Sequence, residues 1–413
     1  MFILSKTVKA GMLPFVVMIS FIMTSICLAM LLSVYYFNLI TIRYSTEARL
    51  MRNIQSAGHF VLANPPDFFE KDDIVQFDLF NDSEDSISIV RKRWGVLSLF
   101  VVEAFSGRFR KSDAFFVGNN SSMFPGSAIY LSDKGISELF LAGNTIINGD
   151  VYIPKLGVSP GYYNNRSFMG ETLINGEIMH SQSSIPEINS EVLHFSSMAG
   201  AAPDLDFEDE MENEVSQSFT KSTRVFHFYE PMNITNVLRG NINIVSSHPV
   251  TISNSSFIED AIIVAPEIHI EKGFRGSLQL LAGNRIEIED EVELMYPSFV
   301  VCENTKQSSI TVGDNCNVEG GLFLIGEKSN GEVLIGNSLI KGMVVSSGNV
   351  ELQGKVYGQV ICEGFVKHGK NDKIFINYLV DCEVNYGSLS RFFLYPDLFQ
   401  DYLGKYEKLK SLY

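Results

Sequence analysis

The sequence predicts a mostly β protein, in which a parallel β-solenoid (β-helix) follows an N-terminal transmembrane helix. Short apolar runs, each bounded by Gly, Asn, Asp or Ser, recur roughly every 16–22 residues between 239 and 376. Segments in which apolar and polar residues alternate lie between these runs, and such alternation turns one face of a strand inward. Residues 12–40 carry no charge, and this stretch exceeds the roughly 20 residues that a helix needs to cross a bilayer.

The apolar runs of the repeat are predicted strands of neighbouring coils. They occupy residues 262–264, 280–281, 299–301, 322–325, 343–345 and 360–361. The gaps between them are too short to hold crossover helices, so each coil must pair directly with the next. We expect one continuous core to be lined by Val264, Leu281, Val301, Leu324 and Val345.

An earlier copy of the repeat shares its most distinctive string. Leu-Ala-Gly-Asn, followed by alternating Ile, occurs at 141–144 and again at 281–284. Gly and Asn tolerate the tight backbone of a corner, which makes Gly143, Asn144, Gly283 and Asn284 predicted solenoid corners. We therefore assign residues 126–158 to the first coils, 159–238 to an insertion with an acidic loop, and 239–390 to the main solenoid.

Glycine punctuation within the coils resembles that of a known class of β-helix proteins. The string Gly-Asn-Val-Glu-Leu-Gln-Gly-Lys-Val-Tyr-Gly at 348–358 carries the resemblance. It is similar to the coils of bactofilins and other polymer-forming β-helix proteins, over about half of the chain. The resemblance implies a β-helix fold and self-association through bare solenoid ends.

The charge-free stretch continues without a break into an amphipathic segment. Leu50, Ile54 and Ala57 follow helical spacing, and Pro65 comes soon after them. The sequence thus predicts a cytoplasmic head (1–11), a transmembrane helix (12–40) and a helical stalk (41–64). Positive charges on the two sides of the span are nearly balanced. The short head and large acidic body favour a single-pass protein of the inner membrane whose body is periplasmic or extracellular.

Residues at the start of the span resemble a processing site. Lys-Ala-Gly11 precedes Met12 and the apolar run, which is similar to type IV pilins and type II secretion pseudopilins. The resemblance implies prepilin-type cleavage between Gly11 and Met12. Val16 stands where most pilins carry Glu, Pro14 lies unusually early, and minor pilins of the tip class also lack that Glu. A plain signal anchor with a helical extension is the alternative.

Two further regions flank the solenoid. Residues 65–125 hold alternating segments and a hairpin turn at 105–108, which predict a small antiparallel β region. Residues 391–413 place apolar side chains three and four apart after Pro396, which predicts an amphipathic helix. We expect this helix to cap the open end of the solenoid, and a partner-binding helix is the alternative.

Composition and motifs exclude several kinds of chemistry. A net charge of −16 argues against broad nucleic-acid binding, which needs clustered Lys and Arg. No two of the five cysteines form a CxxC pair, so a zinc site is not supported, and free thiols are favoured over disulfides.

The acidic run at 204–214 is predicted to be solvated, and calcium binding is the alternative. Ser159 sits in a G-x-S-x-G string, but Pro160 has no N–H for an oxyanion hole.

One coil offers a candidate catalytic surface. Its outward carboxylates, with Arg285 beside them, are Glu287, Glu289, Asp290, Glu291 and Glu293. Pectin-degrading solenoid enzymes need such carboxylates on one outer face, although an acidic coil is more often soluble surface.

These observations together predict a membrane-anchored, non-catalytic solenoid that acts in cell-envelope or surface assembly. It would need no cofactor or metal and would work with protein partners. Two other functions stay open: a minor pilin-like component of a type IV pilus or type II secretion-like machine, and a glycan-binding or glycan-cleaving β-helix protein.

Overall fold

The computed structural model describes residues 12–64, 68–70, 72–78, 85–189, 207–208, 211–303, 308–326, 331–369, 373–399 and 404–412. The chain divides into two compact units. The first comprises Met1–His59, Val75–Ile89 and Val102–Ser112, and the second comprises Phe60–Ile74, Val90–Val101 and Asp113–Tyr413.

The elements follow one another along the chain as one helix and a series of strands. The first are α1 (Met12–Ala63), β1 (Ile74–Phe77), β2 (Ser86–Trp94), β3 (Leu97–Ser106) and β4 (Phe109–Asn119). There follow β5 (Ser127–Leu131), β6 (Leu139–Ala142), β7 (Ile146–Asn148), β8 (Asp150–Ile153), β9 (Val158–Pro160), β10 (Tyr162–Tyr163), β11 (Arg166–Ser167) and β12 (Ile178–His180). Next come β13 (Phe207–Glu208), β14 (Glu214–Gln217), β15 (Arg224–Phe228), β16 (Met232–Ile234), β17 (Val237–Gly240), β18 (Ile242–Ser246) and β19 (Val250–Ile252). The longest strands lie among β20 (Phe257–Ile270), β21 (Arg275–Ile288), β22 (Glu293–Glu303), β23 (Ser309–Val312), β24 (Asn317–Ile325), β25 (Glu332–Ile335), β26 (Leu339–Leu352) and β27 (Lys355–His368). The last are β28 (Ile374–Ile376), β29 (Tyr378–Val380), β30 (Glu383–Asn385) and β31 (Tyr406–Leu412).

Helix α1 confirms the prediction of one long N-terminal helix. It runs for 52 residues without a break, and every residue from Met12 to Ser45 is exposed. Its most apolar stretch of 18 residues has a mean hydropathy of 2.6, so by length and composition this helix could cross a membrane. Beyond it, buried side chains return at helical spacing, namely Leu50, Ile54, Ala57 and Val61. The helix therefore changes from an apolar rod to an amphipathic stalk.

A small antiparallel sheet follows, as the alternating segments predict. Its strand order is β1-β2-β3-β4-β31, and the β3–β4 turn contains Gly107 at a φ of +56°. Strand β31 pairs antiparallel with β4, from Tyr406 opposite Asn119 to Leu412 opposite Ala114. The C-terminal segment thus completes this sheet.

The solenoid is built from parallel ladders between successive coils, which confirms the predicted architecture. Strands β20, β21, β22, β24, β26 and β27 pair in that order. Their inward side chains stack in register as Ile263, Leu280, Val300, Leu322, Val344 and Val360. All six are buried in one apolar cluster, so the solenoid interior is a closed core.

The predicted core register is wrong in two respects. Val264, Leu281, Val301 and Val345 do stack, but they belong to a second cluster on the outer face of the same strands. The fifth residue of that row is Phe323, since Val301 pairs with Phe323 and Phe323 pairs with Val345. Leu324 points into the solenoid interior instead. Both faces of these strands are buried, so the alternation that reveals a register is absent there.

The stacking order of the coils differs from their order in the sequence. Strand β27 pairs parallel with β5, β5 with β8, and β8 with β12. Coils from residues 127–180 therefore lie beyond the last coil of the main solenoid. Within the range assigned to the insertion, β14, β15 and β16 also pair parallel with the following coil.

This order explains why the predicted C-terminal capping helix is wrong. Within the described part of 391–413 there is no helix, and the nearest helical turn is a 3₁₀ turn at Tyr386–Ser388. The coil that ends the sequence repeat is already covered by β5, so it exposes no edge that needs a cap. The segment instead runs along the outer face, where Phe393, Tyr395 and Phe399 join the second apolar cluster.

Two polar contacts dock the β2–β3 hairpin and β31 onto the solenoid. Gln279 is buried, and its side chain accepts from the N–H of Val96 at 2.9 Å and donates to the carbonyl of Trp94 at 2.9 Å. Between them, Gly95 has a φ of +59°, and a Cβ there would overlap the Gln279 side chain. On β31, the ammonium of Lys410 lies 2.7 Å from Asp260 Oδ2.

Candidate functional site

The predicted processing site lies at the edge of the described chain. Gly11 falls outside the described residues, whereas Met12 is the first described residue of α1 and its side chain is 76% exposed. Val16 is exposed as well. Cleavage after Gly11 would leave Met12 as the first residue of a long apolar helix.

The two copies of Leu-Ala-Gly-Asn adopt different backbones. Gly143 has a φ of +61°, and the N–H of Asn144 donates to Asp381 Oδ1 at 2.9 Å. Gly283 lies inside β21 without a positive φ, and Asn284 beside it is exposed. Only the first copy therefore uses glycine for a left-handed corner.

The carboxylates of the acidic coil are engaged by the coils on either side. Asp290 Oδ1 accepts from the backbone N–H of Asp314 at 2.8 Å, and Glu289 Oε2 accepts from that of Lys272 at 2.8 Å. Three ion pairs add to these contacts: Glu291 with Lys272, Glu293 with Arg275, and Arg285 with Glu267. The ring of His269 also lies beside Glu287, at 3.8 Å, and Glu289, at 3.0 Å. These groups link successive coils.

The nucleophiles and thiols of the solenoid have structural surroundings. Ser159 Oγ donates to Glu138 Oε2 at 2.6 Å on a strand paired with β6. The four solenoid cysteines, Cys302, Cys316, Cys362 and Cys382, are free and buried. Among the described residues, no group of three or more His, Cys, Asp or Glu is arranged to hold a metal. Most of the acidic run at 204–214 lies outside the described residues.

Sequence reasoning missed a charged cluster that joins β26 to β27. Glu351 is buried, and its carboxylate meets Lys367 Nζ at 2.8 Å and His368 Nδ1 at 2.5 Å. Burial opposes ionisation of Glu351, but the hydrogen bonds from Lys367 and His368 outweigh it and lower its pKa. The alternating string around Glu351 predicts an outward side chain, but it does not reveal that Lys367 and His368 of β27 contact its carboxylate.

A groove on the outer face of the solenoid is the second feature that the sequence did not reveal. It has a volume of about 410 Å³ and lies between a row of side chains on successive coils and the segment at 388–393. The row includes Tyr357 and the ion pair between Lys341 and Glu319, at 2.7 Å. On the opposite wall, the ring of Phe392 is 78% exposed. An exposed ring beside a charged pair can bind a ligand with both apolar and polar faces.

Within the first unit, a partly buried ion pair joins the stalk of α1 to the residue that precedes β2. The guanidinium of Arg49 meets the buried Asp85 carboxylate, and Asn53 Nδ2 donates to Asp85 Oδ2 at 2.7 Å. Further along the sheet, Lys111 Nζ lies 3.4 Å from Glu47 Oε2 on the helix. The helix that carries the apolar stretch is thus held to folded β structure.

Comparisons with known proteins add a structural likeness. No protein-family model matches the chain, and no curated protein matches it. Among solved structures, the chain is similar to the competence-associated pilin ComZ from Thermus thermophilus, with 10% sequence identity. The likeness covers 83% of this chain and 86% of that chain, with a TM-score of 0.25. A TM-score of this size does not establish a shared fold.

Proposed function

We propose that this chain is a membrane-anchored, non-catalytic β-solenoid that acts in the assembly of a cell envelope or surface. Helix α1 carries the proposal. Every residue from Met12 to Ser45 is exposed, and a helix rising 1.5 Å per residue needs only about 20 residues to span the hydrocarbon core. Exposed apolar surface on this scale is costly in water and stable in lipid.

The arrangement of polar groups on the solenoid supports a structural role. Carboxylates of the acidic coil accept backbone N–H groups or pair with basic residues of neighbouring coils. A glycosidase would instead hold two carboxyl groups across a cleft, one of them protonated. The groove beside Phe392 is lined by one carboxylate, that of Glu319, which Lys341 neutralises. The solenoid therefore serves as a scaffold for protein partners, including further copies of itself.

The proposed location is the inner membrane, with one span and the β structure on the periplasmic or extracellular side. Cysteines introduced one at a time at Ser5 or at the exposed Ser255, in a chain with Cys27 replaced by Ala and the four buried cysteines kept, test both points. The chain should stay in membranes through alkaline carbonate washing. In intact spheroplasts, an impermeant thiol reagent should label Ser255→Cys and spare Ser5→Cys. Release by carbonate would refute the anchor, and the opposite labelling would reverse the orientation.

A minor pilin-like role is the second candidate, and the continuity of α1 from Met12 supports it. Pilin subunits pack such helices together after the leader is removed, which would leave Met12 as the first residue here. Mass spectrometry of the chain from cells with and without a prepilin peptidase tests this role. Cleavage that requires the peptidase and is blocked by Gly11→Asp would favour the pilin function. An intact N-terminus in both strains would remove it.

Glycan binding is a third candidate because the groove exposes an aromatic ring. Stacking of a sugar on Phe392, with hydrogen bonds to Lys341 and Glu319, would use both walls of the groove. Binding of the full chain to insoluble envelope polysaccharide should then fall at least tenfold in Phe392→Ala. The control is Phe257→Ala, which changes an exposed ring elsewhere on the solenoid. Equal binding by both variants would exclude this site.

A further inference from the structure

A basic pocket lies where the charge-free part of α1 ends. Arg43 is the first charged residue of the described helix, and the exposed apolar side chains of Leu39 and Ile42 precede it. Together with the β3–β4 hairpin, this part of the helix borders an open cleft of about 630 Å³. Every lining residue belongs to the first compact unit.

The pocket carries more positive than negative charge. Arg43, Arg108, Arg110 and Lys111 line it, and the lining contains one carboxylate, Glu47. That carboxylate is shared, because Arg43 Nε lies 2.9 Å from Oε1 and Lys111 Nζ lies 3.4 Å from Oε2.

Outside the lining, a second carboxylate, Glu103, lies 3.6 Å from Arg110. In the described part of the chain no carboxylate pairs with Arg108, whose guanidinium stacks on the ring of Phe109 at 5.4 Å. Two carboxylates therefore face four cations, and the side chains of Arg43 and Arg110 are 70% and 69% exposed. The basic groups can accept an anion without breaking a buried contact.

The two walls of the pocket define what that anion is. One wall is apolar helix, which ends at the level where a span leaves the hydrocarbon core. The other wall presents arginines, whose planar guanidinium groups donate two parallel hydrogen bonds to phosphate oxygens. A ligand with acyl chains and a negatively charged phosphate matches both walls, whereas a free anion would leave the apolar wall unused.

We propose that this basic pocket binds the phosphate of an anionic phospholipid headgroup. The proposal rests on the membrane anchoring proposed above. Arg108 and Arg110 would hold the phosphate from the hairpin and Arg43 from the helix, while the acyl chains lie along Leu39 and Ile42. Bound lipid would fix the depth of α1 and the position of the hairpin at the membrane surface.

Native mass spectrometry of the full chain in detergent, titrated with phosphatidylglycerol or phosphatidylcholine, tests the site. A basic residue near a membrane surface contributes about a fivefold factor to anionic-lipid affinity. Arg108→Gln with Arg110→Gln should therefore weaken phosphatidylglycerol binding by about 25-fold. Phosphatidylcholine should bind the unaltered chain weakly, because its choline neutralises the phosphate.

The control is Arg275→Gln with Arg285→Gln, which removes the same charge from exposed residues of the solenoid. This variant should bind phosphatidylglycerol like the unaltered chain. An equal loss in both variants, or none in either, would overturn the proposal. Displacement of the lipid by an equal concentration of inorganic phosphate would show a free-anion site instead. Carbonate release from membranes would contradict the anchor, whereas a firmly anchored chain with unchanged lipid binding would contradict this pocket alone.

Discussion

Arg49 and Asp85 form a two-pronged ion pair between α1 and the residue that precedes β2. Arg49 Nε lies 2.9 Å from Asp85 Oδ2, and a terminal guanidinium nitrogen donates to Oδ1 at 3.0 Å. The Asp85 side chain is only 4% exposed, whereas that of Arg49 is 36% exposed. The carboxylate thus depends on Arg49 and Asn53 for the hydrogen bonds that water would otherwise supply.

Replacing Arg49 with Met should loosen the stalk from the sheet. Asp85 would stay buried without its counterion, which costs about 2–4 kcal/mol of unfolding free energy. Thermal unfolding of the full chain in detergent measures the loss. Arg52→Met, at an exposed position of the same helix, should change stability by less than about 0.5 kcal/mol. Equal melting temperatures for the two variants would contradict this role of the ion pair.

Gln279→Ala should weaken the docking of the β2–β3 hairpin. The variant leaves the Trp94 carbonyl and the Val96 N–H without their partner in a buried site, which costs about 2–4 kcal/mol. Chemical denaturation followed by the fluorescence of Trp94, the one tryptophan of the chain, reports on this location. Gln182→Ala, at an exposed position, is the matched control, and a similar midpoint for both variants would refute the contact.

Phe323→Ala should open a cavity on the outer face of the solenoid. Phe323 is fully buried and stacks on Phe299, with ring centroids 5.7 Å apart. Truncation of a buried phenylalanine typically costs about 3–5 kcal/mol. Val301→Asp, in the same row, should bury an unpaired charge and also cost several kcal/mol. Unchanged unfolding midpoints in both variants would show that this face is exposed.

Glu351 should make stability sensitive to acid. Its pKa in the folded chain is lower than its ordinary value of 4.5, so the folded state binds the proton less tightly than the unfolded state. The stabilisation is present above about pH 4.5 and is lost as the pH falls through the folded pKa. Glu351→Gln should therefore have a lower melting temperature than the unaltered chain at pH 7. The difference between the two melting temperatures should become smaller below pH 4.5. A difference independent of pH would contradict this assignment.

The solenoid thiols should resist modification in the folded chain. Burial raises the pKa of Cys302 and Cys382 to about 12, and it also raises that of Cys316 and Cys362. The thiolate is the reactive form. At pH 8 in detergent, Ellman's reagent should find at most one reactive thiol, Cys27, and all five after denaturation. Rapid reaction of two or more native thiols would disprove the burial.

The repeat and the helix could be predicted from sequence because their signals are local. Gly, Asn and alternating Ile mark the coils, and the charge-free run marks α1. The sequence did not show which residues of 322–325 face the solenoid interior. Four consecutive apolar residues are compatible with either Phe323 or Leu324 in that position. The C-terminal strand was mistaken for a helix because Tyr406 and Leu409 fit a helical stripe, while their strand partner, β4, is almost 300 residues earlier.

The functional features were harder to predict because they join distant parts of the chain. The lipid pocket needs Arg43 beside a hairpin more than 60 residues later, and the groove needs Phe392 beside Lys341. Neither pair has a spacing that a motif could report. Nothing in the sequence near Glu351 shows that Lys367 and His368, 16 and 17 residues later, contact its carboxylate.

The stacking of β5 on β27 has a consequence for how the chain is made. Gln359 donates to the carbonyl of Ser127, which lies 232 residues earlier. During synthesis, the coils at 127–180 leave the ribosome long before the strand that completes their core exists. Contacts so remote in sequence slow folding and prolong the exposure of unpaired strand edges. The nascent chain therefore has to be kept from aggregating until nearly all of it has been translated.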